Sequence, residues 1–104
     1  MPETVANFDT PVQDRFGVQY TARACGRQRS DGLWEGWIEF DSIGNSDVLR
    51  TQRETTQSGL EDLRYWASGL TPVYLEGALD RIIEGLVPRR RAPAMPPPAF
   101  DGPA

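Results

Sequence analysis

The chain has 104 residues and a formal net charge of −4, with 38% hydrophobic and 25% charged residues. This length allows one small domain, and the acidic balance disfavours binding to a nucleic-acid backbone. The chain contains no histidine and no lysine, so all 11 basic residues are arginine, and it has one cysteine. The missing histidine removes the commonest general base and metal ligand, and the single cysteine excludes an intrachain disulfide.

Three segments are predicted from composition. Residues 1–15 show no periodicity and are interpreted as an irregular N-terminal lead-in, whereas residues 16–87 are predicted to form a single α+β domain. Residues 88–104 contain six prolines and three arginines, a composition typical of an extended Arg/Pro-rich C-terminal tail. No apolar run reaches membrane-spanning length and no signal-peptide pattern opens the chain, so we expect a cytoplasmic protein without a membrane partner.

A β-hairpin is predicted in the first half of the domain. Apolar and polar residues alternate over residues 16–24, as in a half-buried strand, and a second strand follows at residues 33–41. Ser30-Asp31-Gly32 lies between them, and a three-residue loop ending in glycine is a common hairpin connection. With Arg29 opposite Leu33, apolar positions face apolar ones and arginines face glutamates, which favours this register.

A third strand is predicted at residues 48–55, after a turn signal at residues 44–47. A four-residue loop would place Asp41 opposite Arg50 and Glu39 opposite Gln52. Two helices are then predicted. The first begins with a Ser58–Glu61 capping box, and the second runs over residues 72–86. The predicted fold is therefore α+β: a three-stranded antiparallel meander followed by two helices packed on one face, the face of the even-numbered residues.

The odd-numbered face of the hairpin is the candidate interaction surface. The predicted register puts Arg23 opposite Glu39, Cys25 opposite Trp37 and Arg27 opposite Glu35. An exposed tryptophan framed by ion pairs has the character of a binding hot spot. Two alternatives stay open from the sequence: another segment or a second copy covers Trp37, or the face is an ordinary solvated surface. The predicted partner-binding residues on this face are Trp37, Arg23, Arg27, Glu35 and Glu39.

The residue inventory argues against catalysis. Cys25 has no histidine to act as its base, and glutamates lie across the strand from it. Glu35 and Glu39 are separated by roughly 13 Å along an extended strand, which is too far for a hydrolytic carboxylate pair. Asp41, Asn45 and Asp47 do not follow the spacing of a calcium-binding EF-hand loop. We therefore predict no enzymatic activity, no cofactor and no metal site.

The C-terminal tail is a second candidate contact. Arg89, Arg90 and Arg91 precede a P-x-x-P step, which is typical of ligands of proline-binding domains. Phe100 is the one large aromatic residue near the end and is a candidate docking anchor. The alternative is a solvated tail without a partner.

One further pattern extends over about 50 residues of the domain. It comprises Tyr20 in the first strand, the Asp31-Gly32 turn, Phe40 and Gly44 around the end of the second strand, and residues 54–60 before the first helix. This pattern resembles the HicB-like antitoxin half-fold. The resemblance implies an antitoxin or RNA-associated regulator, although the proline-aspartate step and the C-terminal DNA-binding module of that family are missing. Our main prediction is a non-enzymatic protein-interaction module whose partner is another protein or a second copy, with the HicB-like regulator as the alternative.

Overall fold

The structure, a computed structural model, describes residues 2–86 and has an α+β fold with an antiparallel sheet and two helices. The predicted fold class is confirmed, but the sheet is larger than the three-stranded meander that we expected. The strands are β1 Glu3–Asn7, β2 Val12–Gln13, β3 Gln19–Gln28, β4 Trp34–Ser42, β5 Val48–Arg50 and β6 Thr55–Gln57. The helices are α1 Leu60–Ser68 and α2 Pro72–Leu86. Neither helix is both long and apolar enough to cross a bilayer.

The six strands occupy four positions across the sheet. β1 and β2 both pair with β3, which pairs with β4, and β5 and β6 both pair with β4. The prediction of an irregular lead-in over residues 1–15 is therefore wrong, since this segment supplies an edge of the sheet. The signal was weak because β2 has only two residues and the pairing of β1 is interrupted between Thr4 and Ala6.

The central β3–β4 hairpin has the predicted register. Its pairs run from Tyr20 opposite Ser42 to Gln28 opposite Trp34, and the Arg29 N–H donates to the Leu33 carbonyl at 2.7 Å. Gly32 ends the loop with φ 89°, a left-handed conformation that glycine adopts without steric cost. The loop length and the cross-strand pairs that were read from the sequence are confirmed.

The first strand of the hairpin begins later than its apolar alternation indicates. Phe16 and Val18 lie in a turn before β3, where their N–H groups donate to Asp14 Oδ1 at 2.8 and 3.0 Å. Asp14 is buried, and its other carboxylate oxygen accepts a hydrogen bond from the Tyr20 hydroxyl at 3.2 Å. This carboxylate organises the β2–β3 turn and leaves Phe16 on the surface.

The predicted third strand is split into β5 and β6. The register of β5 differs from the prediction by two residues, whereas β6 has the predicted register, with Thr55 opposite Gly36. Arg50 faces Glu39, not Asp41, because the four-residue loop comprises residues 43–46 and not 44–47. Between the two strands, the Thr51 N–H donates to the Ile38 carbonyl at 2.9 Å and the Glu54 N–H donates to the Gly36 carbonyl at 2.7 Å. Residues 51–54 thus form a bulge, in which four residues lie opposite two residues of β4.

The even-numbered residues of β3 and β4 form the core face of the sheet. The Tyr20 and Phe40 rings meet edge to face, with centroids 6.4 Å apart and an interplanar angle of 79°. Burial of a large apolar side chain contributes about 1.5–3 kcal/mol, so this layer and α2 supply most of the hydrophobic stabilisation. The main core cluster comprises Val12, Tyr20, Ala22, Ile38, Phe40, Leu75, Ala78, Leu79 and Ile83.

Helix α1 packs on the same face over two glycines that are paired with each other across β3 and β4, Gly26 and Gly36. A Cβ on Gly26 would lie 2.3 Å from Leu63 Cδ2, and a Cβ on Gly36 would lie 2.7 Å from Leu63 Cδ1. Leu63 is fully buried in this socket. Both helices therefore lie on the core face, as the sequence predicted.

The start of α1 differs from the predicted capping box. The N-cap residue is Gly59, which offers no side-chain cap, and the Ser58 hydroxyl donates to Asp62 Oδ2 at 2.7 Å. Glu61 and Asp62 lie in the first turn, where negative charge interacts favourably with the helix dipole. The end of α1 at Gly69 and the bounds of α2 agree with the prediction.

Candidate functional site

The odd-numbered side chains of β3 and β4 lie on the side of the sheet away from both helices. We call this surface the open face. The confirmed register brings together five predicted site residues on it, with Arg23 opposite Glu39, Arg27 opposite Glu35, and Trp37 between them. Because Arg50 faces Glu39, it joins the same side. The open face comprises Arg23, Cys25, Arg27, Glu35, Trp37, Glu39, Asp41 and Arg50.

Trp37 is buried, with 1% of its surface exposed, so the expectation of an exposed hot-spot tryptophan is wrong. The guanidinium of Arg50 lies over the indole at 4.1 Å from the ring centroid. The indole N–H donates to Glu39 Oε2 at 2.9 Å, which satisfies its one polar group. A stacked cation of this kind contributes about 0.5–1 kcal/mol at an exposed site. Trp37 thus forms the base of the open face, and the Arg50 guanidinium lies above it.

Arg23 links the two carboxylates of β4 on the open face. Its guanidinium contacts Glu39 Oε1 at 2.6 Å and also Asp41 Oδ2. Burial alone would raise the pKa of Glu39, but the hydrogen bonds from Trp37 and Arg23 outweigh it and lower that pKa below its ordinary value. Burial likewise opposes the charge of Arg23, and the bonds to Glu39 and Asp41 outweigh it and raise the pKa of Arg23. The network therefore holds Arg23 and Glu39 in their charged forms.

Arg27 and Glu35 occupy the end of the open face near the hairpin loop. Arg27 Nε lies 3.5 Å from Glu35 Oε2, and 52% of the Arg27 side chain is exposed. An exposed pair of this kind contributes about 0–1 kcal/mol to stability, so Arg27 is free to exchange partners at little cost. Together with Gln28, Arg29 and Ser30 the pair lines a shallow hollow of about 380 Å³.

Cys25 lies beside Trp37 on the open face and is buried. Burial and then the charge of Glu39 raise the pKa of the thiol, and Arg23 offsets only part of that rise. A raised pKa reduces the fraction of thiolate at neutral pH, and the thiolate is the reactive form of cysteine. The arrangement disfavours nucleophilic chemistry at this thiol.

The open face is electrically balanced, whereas the rest of the domain is acidic. It carries three arginines and three carboxylates, and its net charge is zero. Residues 1–87 as a whole contain 8 arginines and 14 acidic residues, a net charge of −6. The excess of negative charge therefore lies elsewhere, in part on the exposed sides of α1 and α2.

A second polar cluster, which sequence reasoning missed, connects the bulge to α2. The Glu54 side chain is only 6% exposed and forms a two-point contact with the Arg81 guanidinium at 3.0 and 3.2 Å. The Tyr74 hydroxyl also donates to Glu54. Burial alone would raise the pKa of Glu54, but the bonds from Arg81 and Tyr74 outweigh it and lower that pKa. No local sequence motif reveals this cluster, because its members are 20 and 27 residues apart.

The predicted tail contacts, Arg89, Arg90, Arg91 and Phe100, lie outside the described residues. Within residues 2–86, no three Cys, Asp or Glu side chains converge in a geometry suited to a metal ion. Comparison of the chain with family models, curated proteins and solved structures yields no match. The resemblance to the HicB-like half-fold therefore stays a prediction, and functional inference depends on the geometry of the domain itself.

Proposed function

We propose that the protein is a non-enzymatic protein-interaction module that self-associates through the open face. The observation that carries this proposal is the charge balance of the open face within a domain of net charge −6 over residues 1–87. Two copies of an acidic protein repel each other wherever their acidic surfaces meet. The open face has no net charge, and its arginines lie on strands next to the strand that carries its carboxylates. Two copies therefore repel each other least when these faces meet, and each face offers charges that are complementary to those of the other.

The dimensions of the sheet favour the same conclusion. Strands of nine or ten residues span about 30 Å, and four strand positions span about 19 Å, so the face presents about 570 Å². Two copies would bury about 1,100 Å² in total, which is close to the lower limit for a specific interface. We therefore expect a dimer of moderate affinity.

The side chains of the open face are already held in place before contact. Trp37 fixes Glu39 through its indole N–H and supports Arg50 from below, and Arg23 is fixed by two carboxylates. Ordering of long side chains costs about 0.5–1.5 kcal/mol each on association, so pre-ordered residues reduce that cost. Arg27 is the exposed exception and is expected to find a carboxylate of the second copy.

The test compares two arginine-to-glutamate variants of the full chain by sedimentation equilibrium. Arg27→Glu places a fourth acidic residue on the open face, beside Glu35, and Arg64→Glu makes the same charge change on the exposed side of α1. Both variants change the net charge equally, so general repulsion is controlled. We expect the parent and Arg64→Glu to be dimers and Arg27→Glu to be a monomer.

Two results would contradict the proposal. A parent chain that sediments as a monomer at every concentration removes self-association. A dimer that Arg27→Glu and Arg64→Glu weaken equally removes the open face as its interface. If the parent is a monomer, a different protein that binds to the parent and to Arg64→Glu but not to Arg27→Glu would identify the open face as the contact with that protein.

A further inference from the structure

A groove runs between α2 and the outer edge of the sheet at β5, on a different surface from the centre of the open face. Its volume is about 280 Å³. The helix contributes residues at spacings of three, four and seven, which share one side of α2. Small side chains at two of these positions leave the groove open. The groove is lined by Arg50, Thr51 and Gln52 from the sheet and by Ala78, Arg81, Ile82 and Gly85 from α2.

The sheet side of the groove offers free backbone groups. The N–H of Thr51 donates to Ile38, and the carbonyl of Asp47 accepts from Ser42, so alternate residues from Asp47 to Thr51 point their backbone groups toward β4. In an antiparallel ladder the intervening residues point the opposite way. The backbone N–H and C=O of Val48 and Arg50 therefore face outward, and β5 has no further strand beside it among residues 2–86.

The groove is basic, although the domain is acidic. Its lining includes two arginines and no carboxylate. Arg81 is oriented by its two-point contact with Glu54, and 59% of its side chain stays exposed. Arg50 borders the groove at the edge of the sheet, and its guanidinium lies over Trp37 on the open face. A ligand with a carboxylate would find the Arg81 guanidinium beside an apolar floor of Ala78 and Ile82.

We propose that this groove binds an extended acidic peptide segment of a partner protein by strand addition to β5. The backbone of the peptide pairs with the outward groups of Val48 and Arg50, and alternate side chains point toward the groove. An apolar side chain packs on Ala78 and Ile82, and a neighbouring Asp or Glu pairs with Arg81. The volume of about 280 Å³ suits one or two side chains, so the recognised motif is short.

Two glycines of α2 provide a matched pair of variants. A Cβ at Gly85 and a Cβ at Gly77 would each have no heavy atom within 4 Å, so both positions accept a side chain without a clash. Gly85 lines the groove and Gly77 does not. Gly85→Gln fills the groove, whereas Gly77→Gln makes the same change on the same helix away from it. Both replace a helical glycine with a better helix former, so neither is expected to impair folding.

The experiment selects binders for the full chain from a phage-displayed library of random peptides and measures the dissociation constants of the synthetic consensus peptide by calorimetry. We expect a consensus with Asp or Glu next to an apolar residue. Gly85→Gln should weaken binding by about tenfold or more, and Gly77→Gln should change it by less than about twofold. Replacing the acidic residue of the peptide with its amide should weaken binding to the parent chain.

Three results would overturn the proposal: no enriched consensus, a consensus without an acidic residue, or equal effects of the two glycine variants. A consensus that matches the Phe100-Asp101 sequence of this chain would overturn the proposal that a partner protein binds in the groove. It would instead identify the chain's own C-terminal segment as the ligand. The outcome is separate from that of self-association, because neither glycine lies on the open face and Arg27→Glu should leave peptide binding unchanged.

Discussion

Substitution of glycine by alanine is expected to have opposite effects at two positions: it should destabilise the domain at Gly26, under α1, and stabilise it at Gly77, in α2. A methyl group added at Gly26 would lie 2.3 Å from Leu63 Cδ2 and 3.0 Å from the Glu35 carbonyl oxygen. Leu63 is fully buried, and its other methyl group already occupies the space above Gly36 where a Cβ would lie. The helix must therefore lift by about 1–1.5 Å to restore a normal contact distance.

Overpacking of this kind costs about 1–3 kcal/mol, and the better strand propensity of alanine returns about 0.5–1 kcal/mol. We expect Gly26→Ala to lower the free energy of unfolding by about 1–2 kcal/mol, which corresponds to a fall in Tm of roughly 4–15 °C for a domain of this size. Gly77→Ala has open space around the new methyl group and should stabilise the domain by about 0.5–1 kcal/mol.

Urea unfolding of both variants, with a double-mutant cycle, measures these effects. Leu63→Ala alone should cost about 2–5 kcal/mol, and Gly26→Ala should cost less in that background than in the parent because the clash is gone. The reasoning is refuted if Gly26→Ala is neutral or stabilising, or if the two substitutions are additive. Either result would mean that Leu63 does not occupy the glycine socket.

Three other substitutions test separate parts of the structure by urea unfolding. Trp37→Ala should cost about 3–5 kcal/mol, as for a large buried side chain, and a loss below about 1 kcal/mol would contradict its burial. Glu54→Gln should cost about 1–3 kcal/mol at about pH 7. Since the folded pKa of Glu54 lies below the unfolded one, the stabilisation by its carboxylate is present above the unfolded pKa and is lost as pH falls through the folded pKa. The variant should therefore approach the parent as pH falls through the folded pKa of Glu54, and a difference that does not shrink as pH falls would rule out this carboxylate as the source. Ser58→Ala should change stability by less than about 0.5 kcal/mol, because Gly59 is the N-cap; a loss of about 1 kcal/mol would restore Ser58 as the cap.

The hairpin was predictable because independent signals agree on its register. The loop length, the glycine at its end, and the apolar and charged pairs across β3 and β4 all require Arg29 opposite Leu33. The second helix was predictable because its apolar residues repeat at helical spacing over 15 residues. Long elements with a strong periodic pattern carry enough information in one sequence to predict their type and the face that they bury.

The burial of Trp37 was not predictable from the hairpin alone, and the reason lies in the neighbouring strand. The predicted register put Arg50 opposite Asp41, away from the indole. The true register shifts it by two residues, so that Arg50 faces Glu39 and lies diagonally across from Trp37, within reach of its ring. β5 has only three residues, and its two apolar residues are adjacent, so no alternation specified this register. The Glu54–Arg81 contact was missed for a related reason, since it depends on the bulge and on the position of α2.

The uneven distribution of charge has a kinetic consequence. Exposed acidic residues of α1 and α2, such as Glu61 and Glu76, give two copies of the protein like charge while they diffuse toward each other, whereas the open face is neutral. This repulsion extends over about 10 Å at an ionic strength of about 0.1 M and over about 3 Å at about 1 M. Complexes that are steered by opposite charges form more slowly as salt is added. Two copies of this chain that meet through their open faces should instead associate faster, since salt removes the repulsion between their helical sides before it affects contacts at close range.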